Sequence, residues 1–167
     1  VELELIEPQA DSVVEVAQNK ALQAVNLLGK PVVVEDSGFV IDALAGFPGA
    51  YTKYIMSTIG ADGLLRLAAP YPQATCHFVS AMCYATPDGI RRTFVDNSAE
   101  GILADSLDSH QQPDAWSELW RIFIPKGYDK PLSAFTPDEQ NTLMQYWQAG
   151  SVYGQFVRWL TSELKLN

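Results

Sequence analysis

Pro31-Val32-Val33-Val34-Glu35-Asp36-Ser37-Gly38 is a continuous β-branched run that stops in charge. An unbroken apolar stretch of this length suits a central strand buried on both faces. Its end is then marked by Glu35 and Asp36. Open α/β sheets bind ligands in the crevice outside the carboxyl ends of their strands, so adjacent carboxylates there are placed to hold Mg²⁺ or orient a water. Gly38 would let a phosphate approach the backbone closely. The competing reading is a strand end whose acids face water and cap the next turn, and the pattern alone leaves the two even.

Upstream, Ser12-Val13-Val14-Glu15 is a capping-box pattern, which predicts a helix from there to about Leu28, stopped by Gly29. At about 100° per residue, Val13, Ala17, Ala24 and Leu27 share one stripe of that helix, with Lys20 near its middle. An inward ammonium must find an anion, since an unpaired buried charge is prohibitively costly. Asp36 or a bound phosphate would supply it; snorkelling to solvent is the alternative. Further upstream, Val1 to Leu5 alternates apolar and acidic residues, the period of a strand with one wet face.

Downstream, Phe39-Val40-Ile41 precedes the Gly46-Phe47-Pro48-Gly49 turn. Helical stretches are expected from about Thr52 to Thr58 and, capped by Asp62, through Leu67. Lys53 falls at a helix start, the end that favours anions, so it either faces phosphate or is simply solvated. Two strands fit Thr75–Tyr84 and Ile90–Asn97, joined by Thr86-Pro87-Asp88-Gly89 as an antiparallel hairpin. Residues 104–121 read as a polar loop with aromatic insertions, and Ile122–Pro125 as a brief strand. Thr136-Pro137-Asp138-Glu139 starts a C-terminal helix pair that runs to about Leu164 with a break near Gly150. These intermixed signals predict an α/β domain with a mixed central sheet and flanking helices.

The chain has 167 residues and is 47% hydrophobic, enough for one domain that buries roughly two thirds of its unfolded surface without staples. Its 11 basic residues against 20 acidic ones, a net charge of −9, argue against coating a nucleic-acid polymer. A single nucleotide needs only two or three cations. Cys76 and Cys83 have no metal spacing and are expected to be reduced and buried. No apolar run approaches the ~20 residues that span a bilayer, so a soluble, cytoplasmic protein is expected. His77 and His110 lack metal-ligand spacing, which favours structural roles. Trp116, Trp120, Phe123, Tyr128, Tyr146, Trp147, Tyr153, Phe156 and Trp159 are placed to stack on a base or, more commonly, to pack a core or a dimer surface.

Taken together, the sequence resembles the inosine triphosphate pyrophosphatase family. The resemblance is sharpest in Val32–Gly38, Ile41-Asp42-Ala43-Leu44 and Gly46-Phe47-Pro48-Gly49-Ala50-Tyr51, and extends to Glu7-Pro8-Gln9, Asn19-Lys20-Ala21, Lys53, Glu100-Gly101-Ile102, and Ile122-Phe123-Ile124-Pro125 with Gly127-Tyr128-Asp129. It implies an elongated, two-lobed fold with a central cleft, and a homodimer. It also implies attack of water at the α-phosphorus of a non-canonical purine nucleoside triphosphate, releasing pyrophosphate and a monophosphate. In that reaction Asp36 would be the general base and a Mg²⁺ ligand, and Glu7 a second metal ligand. Lys20, Ser37, Gly38 and Lys53 would contact the triphosphate.

Three departures qualify the resemblance. Family members begin with a strand and a Ser/Thr-Gly-Asn-x-x-Lys phosphate loop, and this chain starts after it. The family's Phe-Gly-Tyr-Asp-Pro stretch falls on Ser117-Glu118-Leu119-Trp120-Arg121, where none of it survives. Near the C-terminus a family lysine aligns with Gln140, and the Ser-His-Arg that reads the purine falls on Met144-Gln145-Tyr146 or Ser151-Val152-Tyr153. The pyrophosphate half is kept and the base-reading half is not. A triphosphate pyrophosphohydrolase with altered base specificity is therefore expected; another phosphate-ester hydrolase, acting on modified pyrimidines, differs from it only in pocket shape. The alternative is a non-catalytic relative that binds nucleotide or associates with protein.

Overall fold

The computed structural model describes residues 3–6, 10–113 and 115–164. The first helix, α1 (Val13–Leu28), starts where Ser12 Oγ accepts the Glu15 N–H at 3.2 Å. It stops at Gly29, whose φ of 60° lets its N–H return to the Val25 carbonyl. The face it buries is built of Val13, Val16, Ala17, Ala21, Ala24 and Val25. Small side chains there let the helix lie close on the sheet. Leu27, expected on that face, is 63% exposed.

Five strands follow: β1 (Val32–Ile41), β2 (Pro48–Gly49), β3 (Thr75–Ala85), β4 (Arg91–Leu103) and β5 (Phe123–Pro125). Their order is β2-β1-β3-β4-β5, and every neighbouring pair is antiparallel. The expected mixed sheet is thus corrected, among the described residues, to an antiparallel one. The helices α2 (Thr52–Thr58) and α3 (Gly60–Ala68) between β1 and β3 do not carry the chain to the opposite end of the sheet, as a parallel pair would require. They instead return the chain to the end of the sheet it left, so Ile41 at the finish of β1 pairs with Cys76 at the start of β3. The β3–β4 hairpin forms as expected. Its strands are longer than their apolar cores because antiparallel pairing tolerates polar residues on a wet face.

That tolerance also corrects the reading of the fingerprint. β1 does not end at Glu35 but runs ten residues, and its first six alternate between half-buried and exposed. Residues 3–6 form no strand; both backbone groups of Ile6 are held by the Gln23 side chain, at 2.8 and 2.7 Å.

The sheet separates two packing environments. On one face α1 covers Val32, Val34, Val79, Ala81, Cys83 and Ala85. On the other, the larger core gathers Phe39, Ile41, Leu64, Cys76, Phe123, Leu132 and Phe135 at one end of β1. At its other end, helix α5 (Val152–Leu164) packs Val152, Phe156 and Trp159 on Met82 and Phe94. The strip of sheet between these two clusters is left uncovered.

Candidate active-site cleft

The uncovered strip floors a cleft of about 940 Å³. Because Ser37 pairs with Ser80 and Ser80 with Asp96, a polar row crosses three strands there. Glu35 lies one step along β1 on the same face, and Lys53, Thr52 and Met56 of α2 form a wall. Thr52 joins that wall to the floor: its hydroxyl accepts the Phe39 N–H and donates to the Gly49 carbonyl, both at 2.7 Å. This fixes the first turn of α2, and hence Lys53, beside Ser37. Lys53 is exposed, with no acidic partner within salt-bridge distance among the described residues.

Glu35 has a raised pKa, chiefly from burial and then from the charge of Asp36. The hydroxyls of Ser80 and Tyr153 and the Lys20 ammonium offset part of this rise. Tyr153, facing Glu35 from α5, is shifted up by the carboxylate charge first and then by burial. The fully covered alternative, a carboxylate with no donors, would be far less tolerable.

Strand alternation turns Asp36 to the other face, under α1. There the Lys20 Nζ donates to Asp36 Oδ1 at 3.0 Å, with side-chain exposures of 21% and 12%. The inward lysine and the acid of the fingerprint therefore meet, as the stripe on α1 implied. Of the expected site residues, Lys20 and Asp36 form one group, and Ser37, Gly38 and Lys53 line the cleft as another. One strand's thickness separates the groups. Glu7 lies outside the described residues.

Gly38 has a packing reason of its own. A Cβ there would run into the Gly49 carbonyl and come within 2.9 Å of Val13 Cγ2. The backbone of the Gly46–Gly49 turn fills the space that a side chain would take. Among the cleft residues, Ser80 and Asp96 escaped sequence reading; Glu35 was read only together with Asp36, and Tyr153 only as one of the aromatic cluster.

His77 lies 3.8 Å from Asp42, and His110 Nδ1 lies 3.0 Å from Asp108, which also accepts the Ser133 hydroxyl at 2.5 Å. The two histidines thus have carboxylate neighbours that linear spacing did not reveal. Asp108 ties the loop before the 3-10 turn Glu118–Arg121 to the turn Leu132–Ala134. Among the described residues no cluster of three or more His, Cys, Asp or Glu is gathered for a metal, and no helix is long and apolar enough to cross a membrane.

Residues 1–151 match the Ham1 family. The chain belongs to that family. A dITP/XTP pyrophosphatase of Methanopyrus kandleri is 34% identical over 140 residues, covering 84% of this chain and 72% of that protein. One from Thermococcus kodakarensis is 31% identical over 159 residues, covering 95% and 81%. Among solved structures, a nucleoside-triphosphatase / dITP/XTP pyrophosphatase from Mycobacterium abscessus superposes with a TM-score of 0.76 at 26% identity, covering 89% of this chain and 80% of that one. The Ham1 relatives are hydrolases of nucleotide metabolism, and the fingerprint around β1 lies within the residues that match the family.

Proposed function

We propose that this chain hydrolyses a nucleoside triphosphate, of the non-canonical purine class named for its relatives, to the monophosphate and pyrophosphate. The observation that carries the reading is the Lys20–Asp36 pair at 3.0 Å, on the strand that also presents Ser37 and Glu35 to the cleft. Over residues 32–38 β1 has a strand neighbour only on its β3 side among the described residues, because β2 pairs with Phe39 and Val40 alone. In this reading the triphosphate lies against β1, which turns Asp36 to one face and Ser37 to the other. Asp36 then takes the proton of the attacking water, while Lys20 holds its carboxylate in place. Ser37 and the exposed Lys53 position the departing pyrophosphate, and the backbone at Gly38 approaches the phosphates from the same strand.

The donor chemistry suits Mg²⁺, which takes one or two carboxylates and completes its shell with water and substrate phosphates. Asp36 would be one ligand, and Glu7 the second by family resemblance. When bound, the ion would offset charge building on the phosphates. The whole chain acts in this reading as one two-lobed domain, paired with a second copy.

The test is pyrophosphate release from a panel of inosine, xanthosine and ordinary nucleoside triphosphates with Mg²⁺. Turnover of at least one, lost in Asp36→Asn, is expected. A panel with no turnover would overturn the hydrolase. Asp36 lies outside the cleft lining, which keeps a second reading in play, and triphosphate binding without hydrolysis in calorimetry would assign the chain to it: a nucleotide-binding relative.

A further inference from the structure

Asp96 reaches the cleft through an irregularity in β4. That strand pairs Ala99 with Phe78 but Asp96 with Ser80, so Asn97 and Ser98 together stand opposite the single residue Val79. A bulge of this kind adds one residue to a strand and re-aims the side chains beyond it. In an unbroken ladder Asn97 would oppose Ser80, and Asp96 would turn to the face on which α1 packs. The bulge is held from two sides: Asp96 Oδ1 accepts the Ser98 N–H at 2.9 Å, and Gln155 of α5 donates to the neighbouring Val95 carbonyl at 2.8 Å. Met144 and Trp147 of helix α4 (Pro137–Gly150), with Trp116 edge-on against Phe78 at 5.0 Å, give the cleft an apolar wall. Its carboxylates among the described residues are Glu35, Asp96 and Glu118. Glu35 faces the hydroxyls of Ser80 and Tyr153, and Glu118 lies 3.8 Å from Arg121. Asp96 Oδ2, by contrast, meets no protein donor among the described residues.

We propose that Asp96 accepts a hydrogen bond from the ribose hydroxyls of the bound nucleotide and makes the cleft selective for a hydroxylated sugar. The inference rests on the proposed function for its ligand class. In that reading Ser37 and Lys53 hold the phosphate end at β1 and α2. Asp96 stands two strands away, about 10 Å across the floor at the usual strand spacing. That is the reach from the outer phosphates of a nucleotide to its sugar. Charge sets the same direction, since a carboxylate repels phosphate oxygens and is a strong acceptor for a neutral hydroxyl. Acidic side chains in dinucleotide-binding sheets hold ribose by the same chemistry.

Calorimetry with inosine 5′-monophosphate and its 2′,3′-dideoxy analogue reads the contact without requiring turnover. The wild-type chain should bind the ribose form roughly 10- to 100-fold tighter, the range of a hydrogen bond to a charged acceptor. In Asp96→Ala that advantage should vanish, while affinity for the dideoxy form stays the same or rises. Asp96→Ser guards the fold, because its hydroxyl can still accept the Ser98 N–H but is too short to reach the sugar. It should melt with wild type and lose the advantage as well. Both compounds bound equally by wild type, or a preference kept in either variant, would overturn the sugar contact alone. If wild type binds neither compound, the contact falls together with the nucleotide reading. A preference that depends on Asp96, with no pyrophosphate released from the triphosphate panel, would reject the hydrolase and leave the contact standing.

Discussion

Lys20 and Asp36 show what a half-buried ion pair contributes. Fully exposed pairs contribute about 0–1 kcal/mol, whereas removing one partner of a buried pair costs about 3–5 kcal/mol. With exposures of 21% and 12%, this pair lies between the limits. Lys20→Met should lower unfolding free energy by about 2 kcal/mol in urea titration, because it leaves the Asp36 carboxylate under α1 without its ammonium. Lys20→Met combined with Asp36→Leu should recover part of the loss; a double variant worse than the sum would show that the pair is not the coupled unit. The meeting of these residues was legible because helix period and strand pattern each pointed inward. Their separation from Ser37 and Lys53 was not: a charged run resembles a strand end, and nothing local signals that the strand continues with carboxylates on alternate faces.

Among elements, α4 has its start written most fully into the chain. Thr136 Oγ1 accepts the Glu139 N–H, Glu139 accepts the Thr136 N–H at 2.7 Å, and Lys130 Nζ lies 2.8 Å from Glu139. These donors, the Lys130 ammonium first, lower the Glu139 pKa from 4.5 to about 2. A depressed carboxyl pKa stabilises the fold above the unfolded value, and that stabilisation disappears as pH falls through the folded one. Wild type should therefore melt higher than Glu139→Gln at pH 6, with the gap closing between about pH 4.5 and pH 2. A gap that stays constant through this window would exclude Glu139 ionisation as its source. Caps of this kind made α1, α4 and the α4–α5 break readable, as did the Pro-Asp-Gly turn of the β3–β4 hairpin. Asp62 was misread as a cap: α3 begins at Gly60, and Asp62 pairs instead with Arg66 inside the helix. Strand pairing was less legible than element type, since the direction of β3 depends on how α2 and α3 route the chain and not on any residue within β1 or β3.

At the scale of the molecule, the cleft exists because two clusters cover the ends of one sheet face and stop short of its middle. Phe123 is central to the larger cluster: it is fully buried and touches Phe39 at 6.0 Å, Phe78 at 5.0 Å and Trp147 at 6.3 Å. It thereby links the floor strands to α4, which supplies part of the cleft wall, and through Phe78 it supports Trp116. Phe123→Ala should cost about 3–5 kcal/mol, from lost transfer energy and the cavity left behind. In a chain of this size that lowers the melting temperature by on the order of 10 °C. If the sheet makes α1, α5 and the larger core one cooperative unit, far-ultraviolet ellipticity and tryptophan fluorescence should lose signal at the same lowered temperature. Fluorescence that falls well before ellipticity would divide the molecule: the core carrying Trp116 and Trp120 would then open while α1 and the sheet remained folded, and the cleft would be a junction between separately stable parts.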